Sequence, residues 1–131
     1  MIGLDTNVLV RYVAQDDPQQ SAKASALMEA LTPERPGFIS LVSVVELVWV
    51  LQSCYQSTKP EIVEVLETML RTKELIVDRA EVVWQAVRIF SAAKADFADC
   101  LIERCANAAE CEYTVTFDLK AVKTVGMRQL V

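Results

Sequence analysis

Four carboxylates stand where they could do chemistry together: Asp5 after an apolar opening run, Glu46 inside an apolar helical stretch, Asp99 near another helix start, and Asp118 closing a late apolar run. Gathered in one place, such anions repel. Two carboxylates about 5 Å apart oppose each other by roughly 3 kcal/mol at an effective dielectric near 20, and four multiply that cost. Either some protonate or divalent cations bind. An all-oxygen donor set favours hard ions such as Mg²⁺ and Mn²⁺ over zinc. Such an ion activates water and stabilises charge on a phosphodiester in transit. The expected chemistry is therefore phosphodiester hydrolysis by water, leaving 5′-phosphate and 3′-hydroxyl ends. That route needs no ribose 2′-hydroxyl, and so admits DNA as readily as RNA.

The rest of the composition narrows the alternatives. The chain has no histidine, which removes Ser-His and Cys-His triads, histidine-driven RNA cleavage and every histidine-containing zinc site. Cys54, Cys100, Cys105 and Cys111 lie in apolar, helix-like stretches without the close pairing of a zinc knuckle, and read as buried free thiols of a reducing compartment. A net charge of −5 argues against broad electrostatic capture of nucleic acid, although bound cations would offset the carboxylates. The opening Met-Ile-Gly-Leu-Asp lacks the form of a signal peptide. The longest apolar run, from Leu41 to Leu51, is broken by Ser43 and Glu46 and is short of the roughly 20 residues that a bilayer requires. A cytoplasmic protein without membrane segments is expected.

The 131 residues suit one domain with a sizeable core. Short punctuation at Asp16-Asp17-Pro18, Thr32 to Gly37, Ser57 to Pro60 and Thr72 to Glu74 reads as loops within that domain. Ile2-Gly3-Leu4, Gly37 to Ser40, Leu75 to Val77 and Tyr113 to Thr116 read as strands. Helical spacing runs through Ile62, Leu66, Met69 and Leu70, through Val83, Val87 and Phe90, and through Leu101, Ile102, Cys105 and Ala109. Ser43-x-x-Glu46, Thr58-x-x-Glu61 and Asp78-x-x-Glu81 have capping-box form. Alternating short apolar strands and helices imply a mostly parallel sheet covered by helices, with ligands at the carboxyl ends of its strands. Asp5 and Asp118 follow strands directly, and helices carrying Glu46 and Asp99 would begin at the same edge.

Each acid also has a simpler reading. Asp5, Asp96 and Asp118 could cap helices or open turns, because short polar side chains accept hydrogen bonds from free helix N–H groups. Glu46 could complete a capping box with Ser43. Its neighbours Val44, Val45, Leu47 and Val48 are all apolar, however, so a charge there calls for further compensation. A cap can in any case still offer an oxygen to a metal.

Taken in order, Asp5-Thr6-Asn7, Ser43-Val44-Val45-Glu46, Ala95-Asp96-Phe97-Ala98-Asp99-Cys100-Leu101-Ile102 and Thr116-Phe117-Asp118 resemble the PIN-domain family, and most closely its compact bacterial branch, the ribonuclease toxins of VapBC toxin–antitoxin pairs. The resemblance spans residues 1–131 as a single PIN-like domain. It implies an α/β fold, a three-layer α/β/α sandwich around a mainly parallel sheet of about five strands.

In that family's terms Asp5, Glu46, Asp99 and Asp118 form the catalytic quartet that binds Mg²⁺ or Mn²⁺, with Asp96 an auxiliary ligand, and Thr6, Asn7 and Thr116 surround the acids. The resemblance also implies an RNA substrate, transfer RNA or another structured RNA, a homodimer, and a small antitoxin that neutralises the acidic site. Arg11, Lys94 and Lys120, and with them Lys123 and Arg128, are candidates to hold phosphates or to be ordinary surface. Trp49 and Trp84 read as core or interface residues rather than base-stacking platforms. Two competing readings are a catalytically silent PIN-like binding module and a haloacid-dehalogenase-like phosphohydrolase. The latter wants a second acid where Asn7 stands.

Overall fold

The computed structural model describes residues 1–131, which divide into two compact units, Met1–Asp78 and Arg79–Val131. In the first, β1 (Ile2–Gly3), β2 (Gly37–Ile39) and β3 (Leu75–Val77) form a parallel sheet in the order β1-β2-β3. Ile2 pairs with Gly37, and Ile39 with Val77. Parallel neighbours need crossovers, and helices supply them: α1 (Thr6–Ala14) and α2 (Pro18–Ala30) between β1 and β2, then α3 (Leu41–Tyr55) and α4 (Lys59–Arg71) between β2 and β3. Leu4, Leu9, Val10, Ile39, Val44, Leu47, Leu51, Ile62 and Leu66 are buried. Gly37 lies at a close approach: a Cβ there would stand 2.7 Å from a Leu4 methyl and 2.9 Å from one of Leu31, so those side chains would have to shift to admit it.

The second unit holds α5 (Ala80–Ala92), α6 (Phe97–Ala108), β4 (Val115–Thr116), α7 (Leu119–Val125) and β5 (Arg128–Gln129). The α5 and α6 helices form a hairpin in which Phe90 and Phe97 meet edge to face, with ring centroids 5.6 Å apart. Strands β4 and β5 pair in parallel, Val115 with Arg128 and Thr116 with Gln129. Gly126 ends α7 at φ 77°, a left-handed conformation that glycine adopts without a Cβ penalty.

The α/β fold class of the PIN type is therefore present. Every strand pairing is parallel, within a three-stranded sheet in the first unit and a two-stranded sheet in the second.

Several local expectations are corrected. The α3 helix starts at Leu41, two residues before Ser43, and is capped by Ser40, whose hydroxyl accepts the Ser43 N–H at 3.2 Å. Glu46 accordingly sits in the second turn rather than in a capping box. Asp78 caps nothing: its N–H donates to the Ile39 carbonyl at 2.8 Å, extending the sheet contact, and Arg79 takes the cap position at φ 50°. Tyr113 and Thr114 precede β4 instead of lying in it. Of the cysteines, none in a disulfide, only Cys100 is buried, while Cys54 and Cys111 are exposed because each lies at or beyond the end of its apolar stretch. Trp49 is 63% exposed, so it is not a core residue. The Thr58-x-x-Glu61 capping box does form.

Candidate functional site

Two acidic neighbourhoods emerge, one in each unit. In the first, β1 delivers the chain to Asp5 at the N-cap of α1. Its side chain makes no capping hydrogen bond. The carboxylate instead meets the amide of Asn7 at 3.5 Å, a long contact that leaves its oxygens largely free. Thr6 follows, buried, and its hydroxyl donates to Glu46 Oε1 at 2.7 Å across 40 positions of sequence. Asp5, Thr6, Asn7 and Glu46 together line a recess of about 410 Å³, with Val45, Trp49 and Val50 as its apolar wall. The recess thus brings together Asp5 and Glu46 and fixes the latter through a buried donor.

The second neighbourhood surrounds the start of α6 and the end of β4. Asp96 is the N-cap of α6, yet it too makes no side-chain capping bond. Asp99, in the first turn of the same helix, has its carboxyl pushed above the ordinary range by partial burial and by the charges of Asp96 and Asp118, against a smaller opposing pull from Lys120. Asp118 caps α7, accepting the Lys120 N–H at 2.9 Å, and its own N–H donates to the Thr116 hydroxyl at 3.0 Å. Thr116 therefore sets the turn that presents Asp118.

The contrast among caps is informative. Asp17, Ser40, Thr58 and Asp118 all accept backbone N–H groups at helix starts, whereas Asp5 and Asp96 occupy the same position without doing so. The simple capping reading accounts for Asp118 in part and leaves Asp5 and Asp96 unexplained.

No three Asp, Glu or Cys side chains stand close enough to form a ready-made metal cage. Within each neighbourhood the donors nevertheless suit a hard divalent cation: they are carboxylate oxygens, one acid in each makes no capping bond, and in the second Asp99 carries an unfavourable charge that a cation would relieve. Zinc, which prefers sulfur and imidazole, would find neither here.

Of the basic candidates, Lys120 lies near enough to Asp99 to influence its proton, and Arg11 is engaged with Asp16 at 3.3 Å and with Gln20 at 2.7 Å. Lys94 and Lys123 are exposed, and Arg128 stacks over the Tyr113 ring at 3.8 Å. What sequence reasoning missed is Asp16, which accepts the Tyr55 hydroxyl at 2.7 Å and ties the α1–α2 turn to the end of α3. Its only signal was its place beside the Asp17-Pro18 helix start.

Comparison with known proteins shows the family. The PIN domain profile matches residues 2–126. Over 98 residues, 75% of this chain and 73% of the relative, the sequence is 26% identical to a VapC ribonuclease of Aquifex aeolicus (strain VF5). With acids placed after strands and at helix starts along the matched length, the chain belongs to the PIN-domain family.

Proposed function

We propose that this protein is a metal-dependent endoribonuclease of the VapC toxin type, with Asp5, Glu46, Asp99 and Asp118 as its catalytic acids and residues 1–131 acting as one PIN domain. The observation that carries the reading is the pairing of Asp5, a helix cap with an uncommitted carboxylate, with Glu46, held by the buried Thr6 hydroxyl in the same recess. Family membership and similarity to a VapC ribonuclease support it. A bound Mg²⁺ or Mn²⁺ supplies activation of water and neutralisation of charge at the phosphodiester.

The chain's own residues do the positioning. Asp5, Glu46, Asp99 and Asp118 would hold the cation, with Asp96 auxiliary. Thr6 orients Glu46, Asn7 lies against Asp5, and Thr116 fixes the turn at Asp118. Arg11, Lys94 and Lys120 are assigned to flanking phosphates. An RNA rather than a DNA substrate is supported by the similarity to a ribonuclease. A structured RNA such as transfer RNA, a homodimer, action in the cytoplasm and inhibition by a cognate antitoxin are what the resemblance to the VapBC toxins implies. No helix is long and apolar enough to cross a membrane.

The test is cleavage of end-labelled RNA by the purified chain. Cutting should require Mg²⁺ or Mn²⁺, stop on chelation, leave 5′-phosphate ends, and harm a bacterial host when the chain is expressed without an antitoxin. A chain that binds RNA but never cuts it with either ion is a silent binding module, and the nuclease reading fails.

A further inference from the structure

A groove of the first unit, about 510 Å³, lies between α1 and α2 and plays no part in the acid chemistry described above. Its charged lining is Arg11 and Lys23 alone, and none of the chain's 18 acidic residues lines it. In a protein of net charge −5, a concavity with two cations and no anion runs against the composition. Helical spacing explains how it is built: Asn7 and Arg11 are four apart on α1, while Gln20, Lys23, Ala24 and Leu27 share one face of α2.

The cations are also prepared differently. Arg11 is held in place, its Nε donating to Gln20 Oε1 at 2.7 Å and its Nη1 contacting Asp16 at 3.3 Å, which leaves its remaining N–H groups to donate elsewhere. Lys23 is exposed and makes no ion pair. Val8, Ala24 and Leu27 give the groove an apolar floor. Asn7 lines both this groove and the Asp5–Glu46 recess, so the two concavities meet at that side chain.

We infer that the α1–α2 groove is a substrate-positioning subsite, in which Lys23 and Arg11 bind phosphates of the RNA strand next to the one lying at the Asp5–Glu46 recess. The inference rests on the nuclease reading for the identity of the strand. Positive charge beside a carboxylate recess answers a problem that the recess creates, because acids that hold a cation repel every phosphate except the one the cation neutralises.

The test is the affinity of the full chain for a fluorescein-labelled single-stranded RNA of about 12 nucleotides, measured by anisotropy in Mg²⁺ between about 50 and 200 mM salt. An Asp99→Asn background prevents cutting. Adding Lys23→Glu should weaken binding by about fivefold or more and flatten the slope of log affinity against log salt by about 0.7 for the one lost phosphate contact. The same charge reversal at the exposed Lys73 should change neither. In the otherwise unaltered enzyme, Lys23→Glu should raise KM and leave kcat within about twofold, since only ground-state grip is lost.

Equal affinity and equal slope for Lys23→Glu and Lys73→Glu would overturn the subsite. It would also be overturned if Lys23→Glu left RNA binding intact and relieved inhibition by a co-expressed antitoxin, for then the groove would belong to a protein partner. Should the chain never cut RNA while Lys23→Glu still weakens binding in this way, the nuclease reading falls and the phosphate subsite stands.

Discussion

The Thr6 hydroxyl donates to Glu46 Oε1 at 2.7 Å, joining the first residue of α1 to the second turn of α3. Thr6 is buried while Glu46 is exposed, so the donor is fixed by packing and in turn fixes a carboxylate that water would otherwise let rotate. The contact is a positioning device: it joins two helices and holds Glu46 in the recess that it lines with Asp5.

Replacing Thr6 with valine keeps the shape and removes the donor. The expected cost in stability is about 1 kcal/mol, that of an ordinary hydrogen bond. RNA cleavage should fall by about tenfold or more, in line with loss of a residue that orients a ligand. Thr6→Ser should restore most of the activity. Chemical denaturation and single-turnover cleavage would check both, and an active Thr6→Val enzyme would show that Glu46 needs no such guide.

Asp5→Asn and Asp99→Asn should each reduce cleavage by about 10²-fold or more, as removal of a preorganised electrostatic group does. Neither should unfold the protein. For Asp99 the direction is specific: its raised carboxyl value means that the folded chain disfavours the charged form. That penalty is absent below the ordinary value of 3.8 and fully felt once pH has risen past the raised one. At pH 7 without divalent ions, the thermal midpoint of Asp99→Asn should therefore equal or exceed that of the parent. Thermal scans with and without Mg²⁺ provide the measurement.

The caps give a control that separates stability from chemistry. Asp17 accepts the Gln19 and Gln20 N–H groups at 3.1 and 2.9 Å, so Asp17→Ala should cost about 1 kcal/mol. Asp96 makes no such bond, and Asp96→Ala should cost much less stability while lowering activity. Were the two variants equally destabilised, Asp96 would be an ordinary cap after all.

Tyr55 and Asp16 supply a pH signature remote from the acids. The Tyr55 hydroxyl donates to Asp16, which raises the phenol above 10.0 and lowers the carboxyl below 3.8. The tyrosine contribution to stability is present below pH 10 and is lost as pH rises through the raised value; that of Asp16 is present above 3.8 and is lost as pH falls through the lowered one. Ultraviolet titration of the parent minus Tyr55→Phe should place the Tyr55 midpoint above the free phenol, and Asp16→Asn should bring it down.

Where sequence was legible, one physical signal dominated. Leu75 to Val77 reads as a strand because three apolar residues stand between polar turns, and Thr58 with Glu61 reads as a capping box because both reciprocal bonds can form. The α2 helix went unread, since Ala, Ser and Gln mixed through Pro18–Ala30 leave only a faint apolar stripe. Strand β5, Arg128–Gln129, is two exposed polar residues with no strand signal at all. Ser43-x-x-Glu46 misled because Ser40 and Ser43 repeat the same pattern one turn earlier, and Asp78 because its N–H is taken by the sheet. The acids were identifiable by type and order. Whether each was capping or free was not, since the two roles use the same residue types and differ only in where an oxygen points.

Trp49 forms part of the wall of the recess that Asp5 and Glu46 share, and its indole is largely open to solvent. The molecule therefore carries its own fluorophore beside the carboxylates. The chain has one other tryptophan, Trp84, so a Trp84→Phe protein would emit from that wall alone. Ion loading could then be followed optically, without RNA and without waiting for a bond to break.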